Sequence, residues 1–292
     1  MDGTVTEPGA NRVAVYLDFD NIVISRYDQI HGRSSFQRDK AAGFHKQPGR
    51  LSQATVDVGA IIDFASSFGT LVLTKAYADW SADVNADYRD QLVGRAVDLV
   101  QLFPAAAYNK NGADIRLAVD AVEDMFRLPD LTHVVIVAGD SDYIPLAQRC
   151  KRLGRYVVGI GITGSISRSL TAACDEFVSY DALPGVPAVK TEAPKRRRTK
   201  ADADQEPETP DPQAAATALL ERALRVAHGK DDSDSDWLHN SAVKAQMKRM
   251  DPSFSEKSLG FRSFSDFLRS RTELVELDES STTRLVRLRP DA

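Results

Sequence analysis

The chain has 292 residues, a 42% hydrophobic content and a formal net charge of −5, values ordinary for one large or two smaller globular domains. The charge rules out a global attraction to nucleic acid, so any such binding must come from local basic patches. Two cysteines, Cys150 and Cys174, with no Cys or His partners at ligand spacing, argue against a disulfide framework or zinc site and read as buried small hydrophobes. No apolar run approaches a membrane span, and Met1 to Asn11 lack the pattern of a secretory signal, so a cytoplasmic protein with no membrane partner is expected.

In chain order, Val13 to Leu17 reads as a strand that ends in the acids of Asp18-Phe-Asp-Asn21. Ser25 to Arg50 follows without a sustained apolar period, rich in Arg, Lys and His. A loop this long in a compact domain is functional or disordered, so a basic, substrate-facing flap and a mobile surface insertion both stand as readings. Thr55 to Phe68 has helical spacing and stops at Gly69. Leu71 to Tyr77 reads as a strand, Asp87 to Val97 as a helix and Leu99 to Phe103 as a short strand. Gly112 to Phe126 reads as a helix with Ile115, Leu117, Ala118, Ala121, Val122 and Met125 on its apolar face.

His133 to Asp142 is the centre of the chain. Val134 to Val137 lack polar alternation, as a strand buried on both faces should, and the run stops at Gly139, Asp140, Ser141 and Asp142. Ile144 to Leu153, closing at Gly154, and Ile166 to Cys174 read as helices, and Tyr156 to Ile160 and Glu176 to Tyr180 as strands. The alternation predicts an α/β domain over 12–182 with a parallel sheet covered on both faces.

Residues 183–212 lose apolar side chains and gain Pro, Lys, Arg, Asp and Glu, the composition of a disordered charged linker. Its cluster from Lys195 to Lys200 reads as tether charge or as a non-specific phosphate grip. Over 213–290 periodicity returns. Ala214 to Ala227 is helical, Ser241 is a candidate N-cap for a helix to Met250, and Ser263 caps a helix through Leu268. Leu274 to Leu277 and Arg284 to Leu288 form a hairpin. Three short helices and a two-stranded wing make a small winged helix-turn-helix domain.

Carboxylates therefore stand at several element ends: Asp18 and Asp20, Asp114, and Asp140 and Asp142. In open α/β sheets these ends can share one crevice. Two unit charges about 4 Å apart repel by roughly 4 kcal/mol at an effective dielectric near 20, so clustered acids share protons or hold a cation. Oxygen ligands without His or Cys suit Mg²⁺ or Mn²⁺. Structural roles compete with this reading: Asp114 as a helix-dipole partner, Asp142 as an N-cap, Asp20 as a turn former. Asn21 and Ser141 can bond a ligand water or the backbone, and Asp120 falls on another side of its helix from Asp114.

Asp18-Phe-Asp-Asn21, then Lys110-Asn-Gly-Ala-Asp-Ile-Arg-Leu-Ala-Val-Asp120, then Val137-Ala-Gly-Asp-Ser-Asp-Tyr143 resemble, in that order, the NYN domain, a PIN-like Rossmannoid three-layer nuclease fold. The resemblance implies a metal-dependent ribonuclease using Mg²⁺ or Mn²⁺, with Asp18, Asp114 and Asp140 as ligands. Asp142 joins them as a catalytic residue, and Asn21, Ser141 and Asp20 give support. The loop after Asn21 is longer than is usual in that family.

Met250-Asp-Pro-Ser-Phe254 and Leu259-Gly-Phe-Arg-Ser-Phe-Ser-Asp-Phe-Leu268 resemble the LOTUS (OST-HTH) winged-helix module. That implies RNA binding, to single-stranded or structured RNA, or protein docking. Lys244, Lys248, Arg249, Lys257, Arg262 and Arg269 are the candidate RNA-binding residues, with Arg271 nearby. Phe254, Phe261, Phe264 and Phe267 are expected in the core. Two other readings remain. One is an RNA-binding adaptor of the same fold without catalysis. The other is a haloacid dehalogenase-like phosphatase, whose first motif resembles Asp18-Phe-Asp20 but calls for Thr or Val where Ile22 stands.

Overall fold

A computed structural model describes residues 11–46, 49–103, 112–187, 211–228, 237–278 and 284–289. The chain divides into two compact units, residues 1–188 and 189–292.

The first unit opens with β1 (Arg12–Asp18), α1 (Phe19–His31), α2 (Ser35–Ala42), a 3₁₀ turn (Phe44–Lys46), α3 (Arg50–Gln53) and α4 (Val58–Ser66). It continues with β2 (Thr70–Ala78), α5 (Asp83–Ala86), α6 (Arg89–Val93), β3 (Asp98–Gln101), α7 (Gly112–Arg127) and β4 (His133–Val137). A 3₁₀ turn (Ser141–Tyr143), α8 (Ile144–Arg152), β5 (Tyr156–Gly161), α9 (Arg168–Ala173) and β6 (Glu176–Ser179) complete it.

All six strands are parallel, in the order β3-β2-β1-β4-β5-β6. Successive side chains of a strand point to opposite faces, and here both faces are covered. Val13, Val15, Leu17, Val135 and Val137 pack in one core with residues of α1 and α4, whereas Ala14, Tyr16, Val134 and Ile136 pack in the other with residues of α7 and α8. This is the three-layer α/β arrangement that the alternation predicts. Cys150 and Cys174 are free and buried.

Chain order places the site. The connections run outward in opposite directions from the central β1 and β4, so the strand order reverses between them, which makes this the point where a crevice opens at the carboxyl edge. Leu17 lies opposite Val137 in the register. The residues following both strands therefore leave the sheet at the same level.

Four expectations need correction. Ser25–Arg50 is not the long loop expected: it holds the rest of α1, then α2, a 3₁₀ turn and the start of α3. Buried Phe19, Ile22, Val23, Arg26 and Tyr27 do follow a helical period, but Arg26 occupies a core position and hides it. Tyr27, Phe36 and Phe44 stack with ring centroids 5.3 to 5.8 Å apart, and buried Asp39 accepts from the Tyr27 hydroxyl at 2.6 Å and pairs with Arg50 at 2.9 Å. A polar pair inside an aromatic cluster replaces the apolar repeat a sequence scan looks for.

Of the helix predicted over Asp87–Val97 only the short α6 forms, after which Ala96 takes a left-handed φ of 55°. Ile115 is 63% exposed, because the buried face of α7 runs through Leu117, Ala121, Asp124 and Met125. Ser241 does not cap its helix, which begins one residue earlier at Asn240, behind His239.

The second unit comprises α10 (Pro212–His228), β7 (Leu238–His239), α11 (Asn240–Met250), α12 (Phe264–Arg269), β8 (Val275–Asp278) and β9 (Leu285–Leu288). The hairpin is antiparallel as expected, and β7 adds a third strand in the order β7-β9-β8. Ser263 caps α12 by accepting from the Asp266 amide. Phe254, Phe264 and Phe267 are buried with Leu219, Leu220, Val243 and Met247, the small core of a winged-helix module. Of the expected linker 183–212, residues 188–210, including the basic cluster, lie outside the described residues. Leu183 packs in the core of the first unit, and Pro212 already opens α10. Among the described residues, no helix is long and apolar enough to cross a membrane.

Candidate metal centre

Asp18 ends β1 and caps α1, its Oδ1 accepting from the Asn21 amide at 3.2 Å. Asp140, just beyond β4, caps the Ser141–Tyr143 turn by accepting from the Asp142 amide at 2.9 Å. Asp114 lies in the first turn of α7. One carboxylate oxygen from each of these residues lies within 4.8 Å of the other two. Three segments far apart in sequence thus deliver their acids to the strand-order reversal, where α1 and α7 also direct their positive N-termini.

The three acids are held by neighbours. Asn21 Nδ2 donates to Asp140 Oδ2 at 3.1 Å, tying the start of α1 to the end of β4. The Tyr143 hydroxyl, fully buried, lies 2.8 Å from both Asp18 Oδ2 and Asp114 Oδ1. A phenol has one proton to donate. It can satisfy one carboxylate as a donor, and the other contact requires a protonated carboxyl that donates to the phenol.

The electrostatics agree. Asp18 is 3% exposed, and burial, with repulsion from Asp114 and Asp140, pushes its carboxyl up to about 8 despite the hydrogen bonds from Tyr143 and Asn21. Asp114 is raised by burial and by the charge of Asp142, and Asp140 by burial and by Asp114 and Asp142. Burial is the first cause for each acid, with neighbouring carboxylate charge added to it, and both costs are ones that a bound cation offsets. The donor set is all carboxylate oxygen, without His or Cys, as hard cations prefer. Oxygens around Mg²⁺ sit about 3 to 4 Å apart, so this group needs only slight contraction to fit.

The other candidate residues have different places. Asp20 accepts from the Asp79 amide and from Asn85 Nδ2, at 3.1 and 2.6 Å, and so pins the turn after β2 instead of joining the cluster. Ser141 and Asp142 are exposed; Asp142 is outside the three-acid group, although its charge acts on two of its members. Asp120 accepts from the Tyr77 hydroxyl and pairs with Arg116, a structural role. The residue that sequence reasoning missed is Tyr143. Its only signal was its place at the end of the Asp140-Ser-Asp-Tyr143 motif, and its reach back to Asp18 depends on the fold. Asp18 would be the nucleophile of a phosphatase of the alternative type, yet its carboxylate is buried and hydrogen-bonded rather than presented to solvent.

In the second unit, Lys244 Nζ is bonded to Glu256 at 2.6 Å, and Arg269 pairs with Asp266 at 3.1 Å. Lys248 is half-buried, and Arg249, Lys257 and Arg262 are exposed. Arg271 lies over the Phe261 and Phe267 rings, 5.6 and 5.0 Å from their centroids, and donates to Thr217 of α10.

Comparison with known proteins gives the family. The NYN domain profile matches residues 12–181, and the OST-HTH/LOTUS domain profile matches residues 208–287. An uncharacterized protein of Methanocaldococcus jannaschii is 26% identical over 123 residues, 42% of this chain and 47% of the relative. The chain thus spans about half the length of that curated relative. A crystal structure of a Vibrio parahaemolyticus protein of unknown function superposes with a TM-score of 0.42 at 20% identity, over 60% of this chain and 95% of that one. With the NYN match spanning more than half of its length and the acid cluster inside that match, the chain belongs to the NYN domain family and carries a C-terminal OST-HTH/LOTUS domain.

Proposed function

We propose that the protein is a metal-dependent ribonuclease whose first unit hydrolyses RNA phosphodiester bonds and whose winged-helix unit retains the substrate. The observation that carries this reading is the convergence of Asp18, Asp114 and Asp140 within 4.8 Å at the strand-order reversal. Mg²⁺ or Mn²⁺ bound there supplies an activated water and charge neutralisation at the phosphate.

The chain's own groups do the rest. Asp18 and Asp140 are fixed at the ends of adjacent strands, so their spacing is set by the sheet. Asn21 and Tyr143 orient the carboxylates, leaving few rotamers to freeze on binding. Asp142, exposed beside the cluster, completes the catalytic set on the open side, with Ser141 next to it. In the second unit the exposed Arg249, Lys257, Arg262 and Arg269, with Lys248, form the RNA-holding surface. Lys244 belongs to the same helix but is engaged by Glu256. A tethered module of this kind raises the local RNA concentration even when its own affinity is low.

The test is incubation of labelled single-stranded RNA with Mg²⁺ or Mn²⁺, beside Asp18→Asn and Asp140→Asn. Cleavage that requires the cation and disappears in both variants is expected. Cleavage that survives both substitutions would remove the site from consideration, and a wild-type chain that binds but never cuts would leave an RNA-binding adaptor of the same fold.

A further inference from the structure

The helical insertion between α1 and α4 carries exposed cations that the proposed catalysis does not use. Five cations lie between residues 33 and 50: Arg33, Arg38, Lys40, Lys46 and Arg50. Arg50 is consumed internally, 2.9 Å from Asp39 and stacked over the Tyr27 ring at 5.6 Å. The other four are exposed and have no carboxylate partner among the described residues; Arg38 donates only to the Ser35 hydroxyl, at 2.8 Å. Elsewhere in the same unit Arg12, Arg26, Lys75, Arg116 and Lys151 each pair with an acid.

The scaffold under these charges is built rather than loose. The aromatic cluster of Tyr27, Phe36 and Phe44 fills its interior, and Asp28 accepts from the Ser34 and Phe36 amides, both at 2.8 Å, to fix the turn into α2. Its placement is set by α1, which starts at the Asp18 cap and extends for about 20 Å at 1.5 Å per residue. Helix α2 folds back along α1, as the Tyr27–Asp39 bond requires. Lys40 lies on this returning stretch.

A crevice lined by carboxylates repels a polyanion, and the net charge of −5 adds no attraction. A strand held near the crevice needs cations beside it. We propose that the exposed Arg33, Arg38, Lys40 and Lys46 of this insertion bind the phosphate backbone of single-stranded RNA, an assignment that rests on the ribonuclease reading for its substrate.

The test uses the full chain in EDTA, so that binding is measured without cleavage, with a fluorescent oligouridylate titrated between 50 and 200 mM salt. Each phosphate contact on a single strand contributes about 0.7 to the log–log salt slope. Arg38→Gln/Lys40→Gln/Lys46→Gln should therefore flatten the slope by about 2, so that the parent loses about 20-fold more affinity than the variant across that fourfold range. Arg38→Lys/Lys40→Arg/Lys46→Arg should keep the parental slope. An unchanged slope in the Gln variant, or an equal loss in the charge-keeping variant, overturns the proposal. Because no divalent cation is present, absence of cleavage in the parent leaves this measurement intact, and failure of the slope test leaves the cleavage result intact.

Discussion

Asp18→Asn should make the metal-free protein more stable at alkaline pH while abolishing its response to metal. The Asp18 carboxyl stands at about 8 in the folded protein against an ordinary 3.8, chiefly because it is buried. The folded state therefore keeps a proton that the unfolded chain releases. Stability from this group is intact below the unfolded value and falls as pH rises toward the folded one, by about 1.4 kcal/mol per pH unit. The upper bound is about 6 kcal/mol, and water entry on ionisation lowers the observed value toward about 2 to 3 kcal/mol.

Asn is close to isosteric, keeps an oxygen for the Asn21 amide and is as good an N-cap as Asp. The variant should match wild type near pH 4 in EDTA and exceed it at pH 8.5. Urea unfolding followed by Trp80 fluorescence reports on this unit alone in a Trp237→Phe background, because Trp80 is buried 5.3 Å from the Phe19 ring and is then the sole tryptophan. Mn²⁺ at 100 times its Kd should then add about 2.7 kcal/mol to wild type and little to the variant. A variant less stable than wild type at pH 8.5 in EDTA, or stabilised equally by Mn²⁺, would refute the reasoning.

Two further outcomes follow from particular contacts. Tyr143→Phe removes the hydroxyl that lies 2.8 Å from both Asp18 and Asp114, and loss of such a supporting bond lowers metal affinity by about 10-fold or more; calorimetric titration with Mn²⁺ should show this, and an unchanged Kd would assign the hydroxyl to packing alone. Lys244→Ala leaves Glu256, 7% exposed, without the ammonium at 2.6 Å; because Lys244 itself is partly exposed, a loss of about 1 to 2 kcal/mol is expected in the second unit, with Glu256→Gln in the same background recovering part of it.

Much of the site was legible before the fold. Val13–Leu17 and Val134–Val137 stop abruptly at Asp18 and Asp140, and an acid directly behind a buried strand calls for a partner. Asp114 was less legible, since a first-turn acid also serves a helix dipole; its motif resemblance separated it from that role. Asp20, two residues from Asp18, read either as a supporting acid or as a turn former, and the fold turns it toward Asp79 and Asn85. The helices within Ser25–Arg50 were hidden because Arg26 and Asp39 occupy buried positions that periodicity reserves for apolar residues.

Local information in the chain was enough for the alternation of strands and helices, the ends at which acids are exposed, the hard-cation character of the donors and the second, winged-helix module. These follow from backbone period and side-chain chemistry, both of which act over a few residues. The meeting of Asp18, Asp114 and Asp140, the insertion of the Tyr143 hydroxyl between two of them, and the retirement of Asp20 and Lys244 into structural bonds were decided by tertiary structure. Those contacts depend on which strands become neighbours, and strand order is settled by the packing of both sheet faces at once.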